Sequence, residues 1–306
     1  MLNRETKFKP LQDADMQGAE MQEYCDICGG QGKFYGNGKN YHILLCEQCG
    51  LIWTNPLEYE LAKKSIASNY WGEEIYLANV DAQKKRFRKQ LEIFKRKTNV
   101  LAYKSIKILE VGSGLGFFLD ICDELGIVAE GCDIAEKAVK FANRERERVR
   151  LGTLDAYYKN ESYHAIFAFN LIEHLAHPKD FFTESRRILK SGGILVLEMP
   201  IQESLFHKLA RAGFLIFKGR LNFFGINPGA HIYKFSKKTF KFICNDIGFK
   251  CVYQKNINSP FGEIWGKSSI VSFDYRLIYR LSLPIVWTIA KLTGQGNRLF
   301  ILLQKP

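Results

Sequence analysis

From Ile106 onward the chain alternates short apolar runs with stretches of helical periodicity. Ile106–Val111, Ile127–Asp133, Ala165–Asn170 and Ile194–Met199 read as strands. Between the last two, Phe181, Phe182, Ser185, Ile188 and Leu189 form one helical stripe. Pro178 suits its start, and the pair Gly192-Gly193 suits its end. Strand–helix alternation of this kind predicts a doubly wound α/β fold, with a parallel sheet covered on both faces. Ser236 is placed to cap a helix running through Ile247 to Gly248. Cys251–Lys255 and Leu299–Gln304 then read as two further strands.

Ahead of Ile106 the pattern differs. Residues 1–20 read as a loose tail, followed by short apolar runs at Tyr41–Leu45 and Leu51–Trp53. From Leu57 to about Thr98 the chain reads as helical. Phe87, Leu91 and Phe94 follow i, i+4, i+7 spacing with Lys and Arg between them, the mark of an amphipathic helix. This divides the chain into an N-terminal module over 1–55, a helical cap over 56–104 and the α/β domain over 105–306, with an insertion at about 201–235.

The N-terminal module carries four of the eight cysteines as two C-x-x-C pairs, Cys25/Cys28 and Cys46/Cys49. A tight C-x-x-C turn offers two sulfurs on one side, and two such turns supply the tetrahedral set that zinc requires. Gly29 and Gly50 follow the second cysteine of each pair, where the turn calls for a positive φ. Four protein ligands leave no open position, so the expected zinc is structural. The remaining cysteines, Cys122, Cys132, Cys244 and Cys251, sit in apolar surroundings and read as core residues.

Charge is distributed unevenly. Residues 201–306 hold 16 Lys and Arg against 4 Asp and Glu, which accounts for the whole net charge of +12. Such asymmetry points either to an anionic partner (nucleic acid, a phosphorylated substrate or an anionic membrane face) or to a solvated basic face with no partner. No apolar signal region is found near Met1, and the apolar stretch Leu281–Leu292 is shorter than the roughly 20 residues a bilayer span needs. The expected location is cytoplasmic, with peripheral contact at the inner membrane face as an extension of that reading.

Gly112, Gly114 and Gly116 stand at alternate positions directly after the first core strand. Ligands of doubly wound sheets bind beyond the carboxyl ends of strands, where missing side chains let the backbone come close. The dinucleotide fingerprint would need a third glycine where Phe117 stands, and a phosphate-loop lysine is absent. Glu110, two residues before the first glycine, would repel a pyrophosphate but attract a cation. Asp133 closes the next strand, at the place downstream of the glycines where a carboxylate can hold ribose hydroxyls. A cationic amino-acid part, a ribose and no phosphate describe S-adenosylmethionine (SAM).

The segments "ILEVGSGLGFFL", "GCDIAEKAV", "GTLDAYYKNESYHAIFAFNLIEHLAHP" and "RILKSGGILVLEMP" together resemble the class I SAM-dependent methyltransferases. They are most similar to a bacterial group with an "EHL" segment after the fourth strand, a preceding zinc knuckle and a following "H-x-Y-x-F-S" segment. The resemblance covers roughly residues 105–255. It implies a seven-stranded Rossmann-like sheet, with Glu110, Gly112, Ser113, Gly114 and Gly116 facing the methionine part and ribose. It also implies that Asp133 holds the ribose, that Ile134 lies beside the adenine and that Leu154 and Asp155 reach the adenine edge. Asp155 is alternatively an exposed helix cap. Asn170 is expected to line the cavity near the sulfonium.

Methyl transfer to an activated carbon needs chiefly positioning, and a base when the acceptor is a hydroxyl. His231, in the loop "PGAHIYKFS", is the candidate base or acceptor contact; in the resembled group this segment bounds the acceptor pocket. His174, after the fourth strand, is the second candidate and is alternatively a packing histidine. Between them, Glu203–Phe224 has apolar Leu205, Phe206, Leu209, Ile216 and Phe217 on one helical face. His207, Lys208, Arg211, Lys218 and Arg220 are its polar residues. It reads either as a lid over the acceptor pocket or as a basic amphipathic helix on an anionic membrane.

The leading reading is an O-directed methyltransferase acting on a small molecule, glycan or lipid-linked sugar. An alternative is an RNA methyltransferase gripping phosphates with the zinc knuckle and the basic final third. The knuckle region itself is not basic, since Lys33 and Lys39 are matched by Asp26 and Glu47. A third reading, a non-enzymatic zinc-bearing subunit, conflicts with intact Glu110, Gly112, Gly114 and Asp133.

Overall fold

The alternation that begins at Ile106 builds a seven-stranded sheet, and the cysteine segment builds a second, four-stranded one. The structure, a computed structural model, describes residues 22–37, 41–55, 77, 79–98, 100, 106–216, 231–261 and 273–306. The tail, the first part of the helical stretch read from Leu57, and Phe217 to Phe224 of the insertion lie outside the described residues.

Near the N-terminus β1 (Gly32–Asn37), β2 (His42–Cys46) and β3 (Ile52–Asn55) form an antiparallel meander, followed by α1 (Val80–Lys97). Then come β4 (Lys107–Val111), α2 (Phe117–Glu124), β5 (Val128–Asp133), α3 (Glu136–Ala142), β6 (Val149–Leu151) and β7 (Tyr163–Phe169). A 3-10 turn (Ile172–His174) leads to α4 (Pro178–Ile188), β8 (Leu189–Pro200), α5 (Leu205–Ile216) and β9 (Tyr233–Lys234). The chain closes with α6 (Lys237–Ile243), a π turn (Cys244–Gly248), β10 (Lys250–Ile257), α7 (Phe273–Leu292) and β11 (Arg298–Gln304).

The large sheet has the order β10-β11-β8-β7-β4-β5-β6. Strands β4 to β8 are parallel, and β11 runs antiparallel between β8 and β10. From central β4 the chain winds outward through β5 and β6, then returns to the other side of β4 as β7. That reversal opens a crevice at the carboxyl ends of β4 and β7, where doubly wound sheets bind ligands.

Both faces are covered, as strands this apolar require. On one, Phe87, Leu91 and Phe94 of α1 and Phe118 and Ile121 of α2 pack on Ile108, Phe167, Val196 and Phe300. On the other, Phe181, Phe182 and Ile188 of α4 and Phe240 and Ile243 pack on Leu109, Ile166, Leu197 and Ile301. Ile27, Leu51 and Trp53 of the cysteine module belong to this second core. The module is tied in further by β9, which pairs with β3 through Trp53–Tyr233 and Ile52–Lys234. A segment from far downstream, beyond β8, thus supplies the fourth strand of the N-terminal sheet.

Local signals explain most boundaries. Pro178 stands in the first turn of α4, where its missing N–H costs nothing. Ser236 and Thr239 form a reciprocal capping box at the start of α6, and the π turn carries the helical stretch on to Gly248 at φ +85°. Gly192-Gly193 departs from the expectation. Helix α4 ends earlier, at Ile188, and the glycines lie inside β8 at an irregularity in its pairing with β7. Gly192 has φ +76°, and a Cβ on Gly193 would stand 2.8 Å from the Lys190 carbonyl oxygen. The pair therefore serves a bulge rather than a helix stop. The apolar stretch Leu281–Leu292 is the second half of the 20-residue helix α7, which carries Pro284 internally.

Candidate active site

Glu110 and Asp133 lie at the carboxyl ends of neighbouring parallel strands, β4 and β5, and the glycine turn follows directly on β4. Gly112, Gly114 and Gly116 all take positive φ, at +72°, +53° and +80°. A Cβ on Gly112 would approach Leu171 Cδ1 at 3.0 Å, so this position lacks room as well as conformational freedom. The turn is held to β5 by backbone N–H groups: Gly112 and Ser113 donate to the Cys132 carbonyl oxygen at 2.8 and 3.1 Å. Gly114 N–H donates to Asp133 Oδ2 and Ala135 N–H to Asp133 Oδ1, each at 2.8 Å. Burial still raises the Asp133 carboxyl above its ordinary range, against the pull of those donors. Each carboxylate oxygen retains a lone pair for a hydroxyl donor. Ile134, next in line, is half-buried.

Glu110 is 3% exposed, and its Oε2 has no hydrogen-bond partner among the described residues. Burial, and then the nearby Asp133 charge, push its carboxyl well above the carboxylate range, while Arg148 and Arg86 pull it down. A buried acid with an unmet acceptor suits a cationic ligand, which would supply the missing donor and offset the burial.

Asn170 follows β7 at φ +50°, a left-handed conformation that asparagine tolerates better than most side chains. Its N–H donates to the Glu198 carbonyl oxygen at 2.7 Å, and the chain turns at once into Leu171 and the 3-10 turn. This bend puts Leu171 against Gly112 and leads directly to His174. The segment after the insertion returns to the same place. Ile232 N–H donates to the Glu173 carbonyl oxygen at 3.0 Å, and Tyr233 Oη donates to the Ala176 carbonyl oxygen at 3.0 Å. The two segments are laced together, and the His174 and His231 rings meet with centroids 4.8 Å apart at 73°. Glu173 is buried, and its Oε1 lies 3.9 Å from His174 Nε2. Ligand atoms of Glu173, His174 and His231 all lie within 4.8 Å of one another.

Leu154 packs on the same core as Leu171. Asp155 is largely exposed, and its carboxylate accepts from Tyr157 N–H at 3.0 Å and Arg150 at 3.1 Å. The Tyr157 contact holds its carboxyl below the usual range and closes a local turn; no helix begins at Asp155, so it is exposed as the second alternative has it but caps no helix.

A family model for a methyltransferase domain matches residues 76–254. The chain belongs to this family. The methyltransferase domain also resembles solved structures in fold. A SAM-dependent methyltransferase from Archaeoglobus fulgidus superposes with a TM-score of 0.50 at 20% identity, covering 78% of this chain and 99% of that one. Another, described as a possible histamine N-methyltransferase from Thermotoga maritima, gives a TM-score of 0.50 at 16% identity and covers 81% and 100%. Among curated proteins, a ubiquinone biosynthesis O-methyltransferase of Roseobacter denitrificans is 28% identical over 102 residues. The match spans 31% of this chain and less than half, 41%, of that relative.

The cysteine module that precedes the methyltransferase domain is built from two like knuckles. Gly29 N–H donates to the Cys25 carbonyl oxygen and Gly50 N–H to the Cys46 carbonyl oxygen, at 2.8 and 2.7 Å, with both glycines at positive φ. The sulfurs approach pairwise, Cys25–Cys49 at 3.4 Å and Cys28–Cys46 at 3.3 Å, and all four lie within 4.8 Å. A tetrahedral site with Zn–S of about 2.3 Å needs sulfurs about 3.8 Å apart, so the set fits a zinc ion after small adjustment. The hydrogen bond with Cys49 lowers the Cys25 thiol and raises that of Cys49, and burial raises Cys28, so without metal the thiolate is favoured at Cys25 and opposed at Cys49 and Cys28.

Two polar clusters carry little signal in the sequence. Glu198 is fully buried in β8, 2.8 Å from Arg298 and 3.6 Å from Arg86, an ion pair that fastens α1 to the sheet. An acid inside the apolar run Ile194–Met199 is its one sequence mark. Tyr35, His207 and Arg211 form the other. Tyr35 Oη lies 3.1 Å from His207 Nε2, and the Arg211 guanidinium stacks 4.0 Å from the Tyr35 ring centre. This cluster fastens α5 to the cysteine module.

Proposed function

We propose that this protein transfers the methyl group of SAM to an oxygen of a small acceptor, in the class of glycans, lipid-linked sugars and other precursors bearing hydroxyl groups. The observation that carries this reading is the contact of His174 with His231 on the segment that leaves the glycine turn's neighbour Leu171. When bound, SAM supplies a methyl group on a positive sulfur, activated for displacement by an oxygen nucleophile. Glu110 holds the cationic amino-acid part, Asp133 the ribose hydroxyls, and the turn Gly112–Gly116 lies close against the ligand because its glycines lack side chains. Ile134 and Leu154 flank the adenine, and Asn170 shapes the wall facing the acceptor.

His231 takes the acceptor hydroxyl proton at a ring nitrogen and passes it to water. His174 fixes the His231 ring edge-on. Zinc held by Cys25, Cys28, Cys46 and Cys49 is structural in this reading, because all four positions are protein thiolates. It secures β3, hence β9, hence the segment bearing His231. The O-methyltransferase relatives, named for ubiquinone biosynthesis, agree with oxygen as the acceptor atom. The test is mass spectrometry of small-molecule and glycan extracts incubated with the protein and methyl-deuterated SAM. A labelled product whose methyl sits on oxygen supports the reading; label on nitrogen or carbon only refutes it.

A further inference from the structure

Helices α5 and α7 touch, and both carry large aliphatic side chains on their exposed surfaces. On α7, Leu281, Ile285, Ile289 and Leu292 follow i, i+4, i+8, i+11 spacing and form one stripe. They are 66%, 63%, 44% and 81% exposed, while Leu283 and Ala290 face inward and are buried. On α5, Leu209, Leu215 and Ile216 are exposed as well, while His207 is turned inward against Tyr35. The two helices are joined where Lys208 Nζ donates to Gln295 Oε1 at 2.6 Å and Leu205 N–H donates to the Gln295 carbonyl oxygen at 3.0 Å. Isolated exposed leucines are ordinary, but seven large aliphatic side chains on two adjoining helices are not.

The charge of these helices narrows what covers them. Helix α5 contains no acid, and its Lys208 is exposed while Arg211 is held against Tyr35; residues 281–292 of α7 contain no acid either, and Lys291 is exposed. A self-association surface so short of acids would bring cations against cations. A nucleic-acid surface would present cations and stacking rings rather than an aliphatic ridge. Exposed aliphatic side chains accompanied by the exposed lysines Lys208 and Lys291 match a bilayer interface, whose acyl region receives the first and whose anionic headgroups receive the second. No helix among the described residues is long and apolar enough to cross a membrane.

We infer that α5 and α7 together form a docking face for an anionic lipid bilayer, with both helices lying in the plane of its surface. Helix α5 begins the insertion that leads from β8 to His231, so the docking face and the candidate acceptor segment belong to one stretch of chain. That placement suits the lipid-linked members of the acceptor class proposed above, although the inference itself rests on the exposed side chains and not on the acceptor.

Flotation of the full-length protein with vesicles tests it. Vesicles of phosphatidylcholine with one-third phosphatidylglycerol should carry the protein upward at low salt, and far less at high salt. Phosphatidylcholine alone should retain at least tenfold less. The double variant Leu281→Glu, Ile285→Glu should lose at least tenfold in partitioning while its SAM affinity by calorimetry stays at the wild-type value, which shows that it folds. Wild-type protein left at the bottom of the gradient overturns the inference, as does a variant that floats like wild type. Concentration-dependent dimers broken by the same variant, or tight salt-sensitive binding to RNA in place of vesicles, overturn it equally. SAM binding without flotation separates this failure from a failure of the methyltransferase reading.

Discussion

His174 and His231 lie in ring contact, 4.8 Å between centroids, although the whole of α4, β8 and α5 separates them in the chain. One follows the fourth parallel strand, and the other follows the insertion. The backbone bond from Ile232 to Glu173 is what brings them together. Neither histidine takes part in the glycine turn, so the proposed roles in cofactor binding and acceptor chemistry can be tested separately.

The first prediction uses that separation. His231→Gln should lower kcat by about 10²–10⁴-fold, the usual worth of a positioned general base, without weakening SAM binding. His174→Gln should cost less, because it acts on the orientation of His231. Steady-state kinetics with saturating SAM distinguishes the two; equal losses in both variants would assign the proton to the pair as a unit.

Zinc should be present at about one ion per chain and should be lost from Cys25→Ser or Cys46→Ser, since each removes a ligand from a four-thiolate site. The consequences should be uneven. Trp53 and Tyr233 pair across β3 and β9, so metal loss loosens the segment carrying His231. Elemental analysis combined with kinetics should show a raised acceptor KM or lowered kcat, with SAM affinity changed far less.

His207 yields a pH dependence. Burial, then Lys234 and Arg211, lower its folded pKa from 6.5 to about 3. Between those values the unfolded chain binds a proton that the folded chain excludes, so stability rises with pH through this window and is lost as pH falls. At pH 5 the cost is about 2 kcal/mol relative to neutral pH. Denaturant unfolding should show a smaller drop from pH 7 to pH 5 for His207→Gln than for wild type.

The fold is largely legible in the sequence because its signals are local. The strand after Ile106, the proline at the head of α4 and the capping box at Ser236 each act within a few residues. The glycine turn is legible for the same reason, since positive φ at alternate positions favours glycine whatever surrounds it. What stays hidden depends on distant partners. Two-residue β9 exists only because β3 lies beside it, and Tyr233-Lys234 carries no strand signal of its own. Gly192-Gly193 misleads because a bulge and a helix stop ask for the same residue. His174 and His231 each stand out singly, but nothing local announces their contact. Helix α7 is obscured because Pro284 interrupts an otherwise even apolar stretch.

The central claim is that the turn from Glu110 to Gly116 and Asp133 holds SAM, with the two histidines serving the acceptor alone. Titration calorimetry with SAM on wild type, Asp133→Ala and His231→Ala tests it most directly. Removing the Asp133 carboxylate deletes charge-assisted hydrogen bonds to the ribose, each worth about 1.5–3 kcal/mol, so binding should weaken at least tenfold. His231→Ala should bind as wild type does. Unchanged affinity in a folded Asp133→Ala protein, or an equal loss in His231→Ala, would contradict the account.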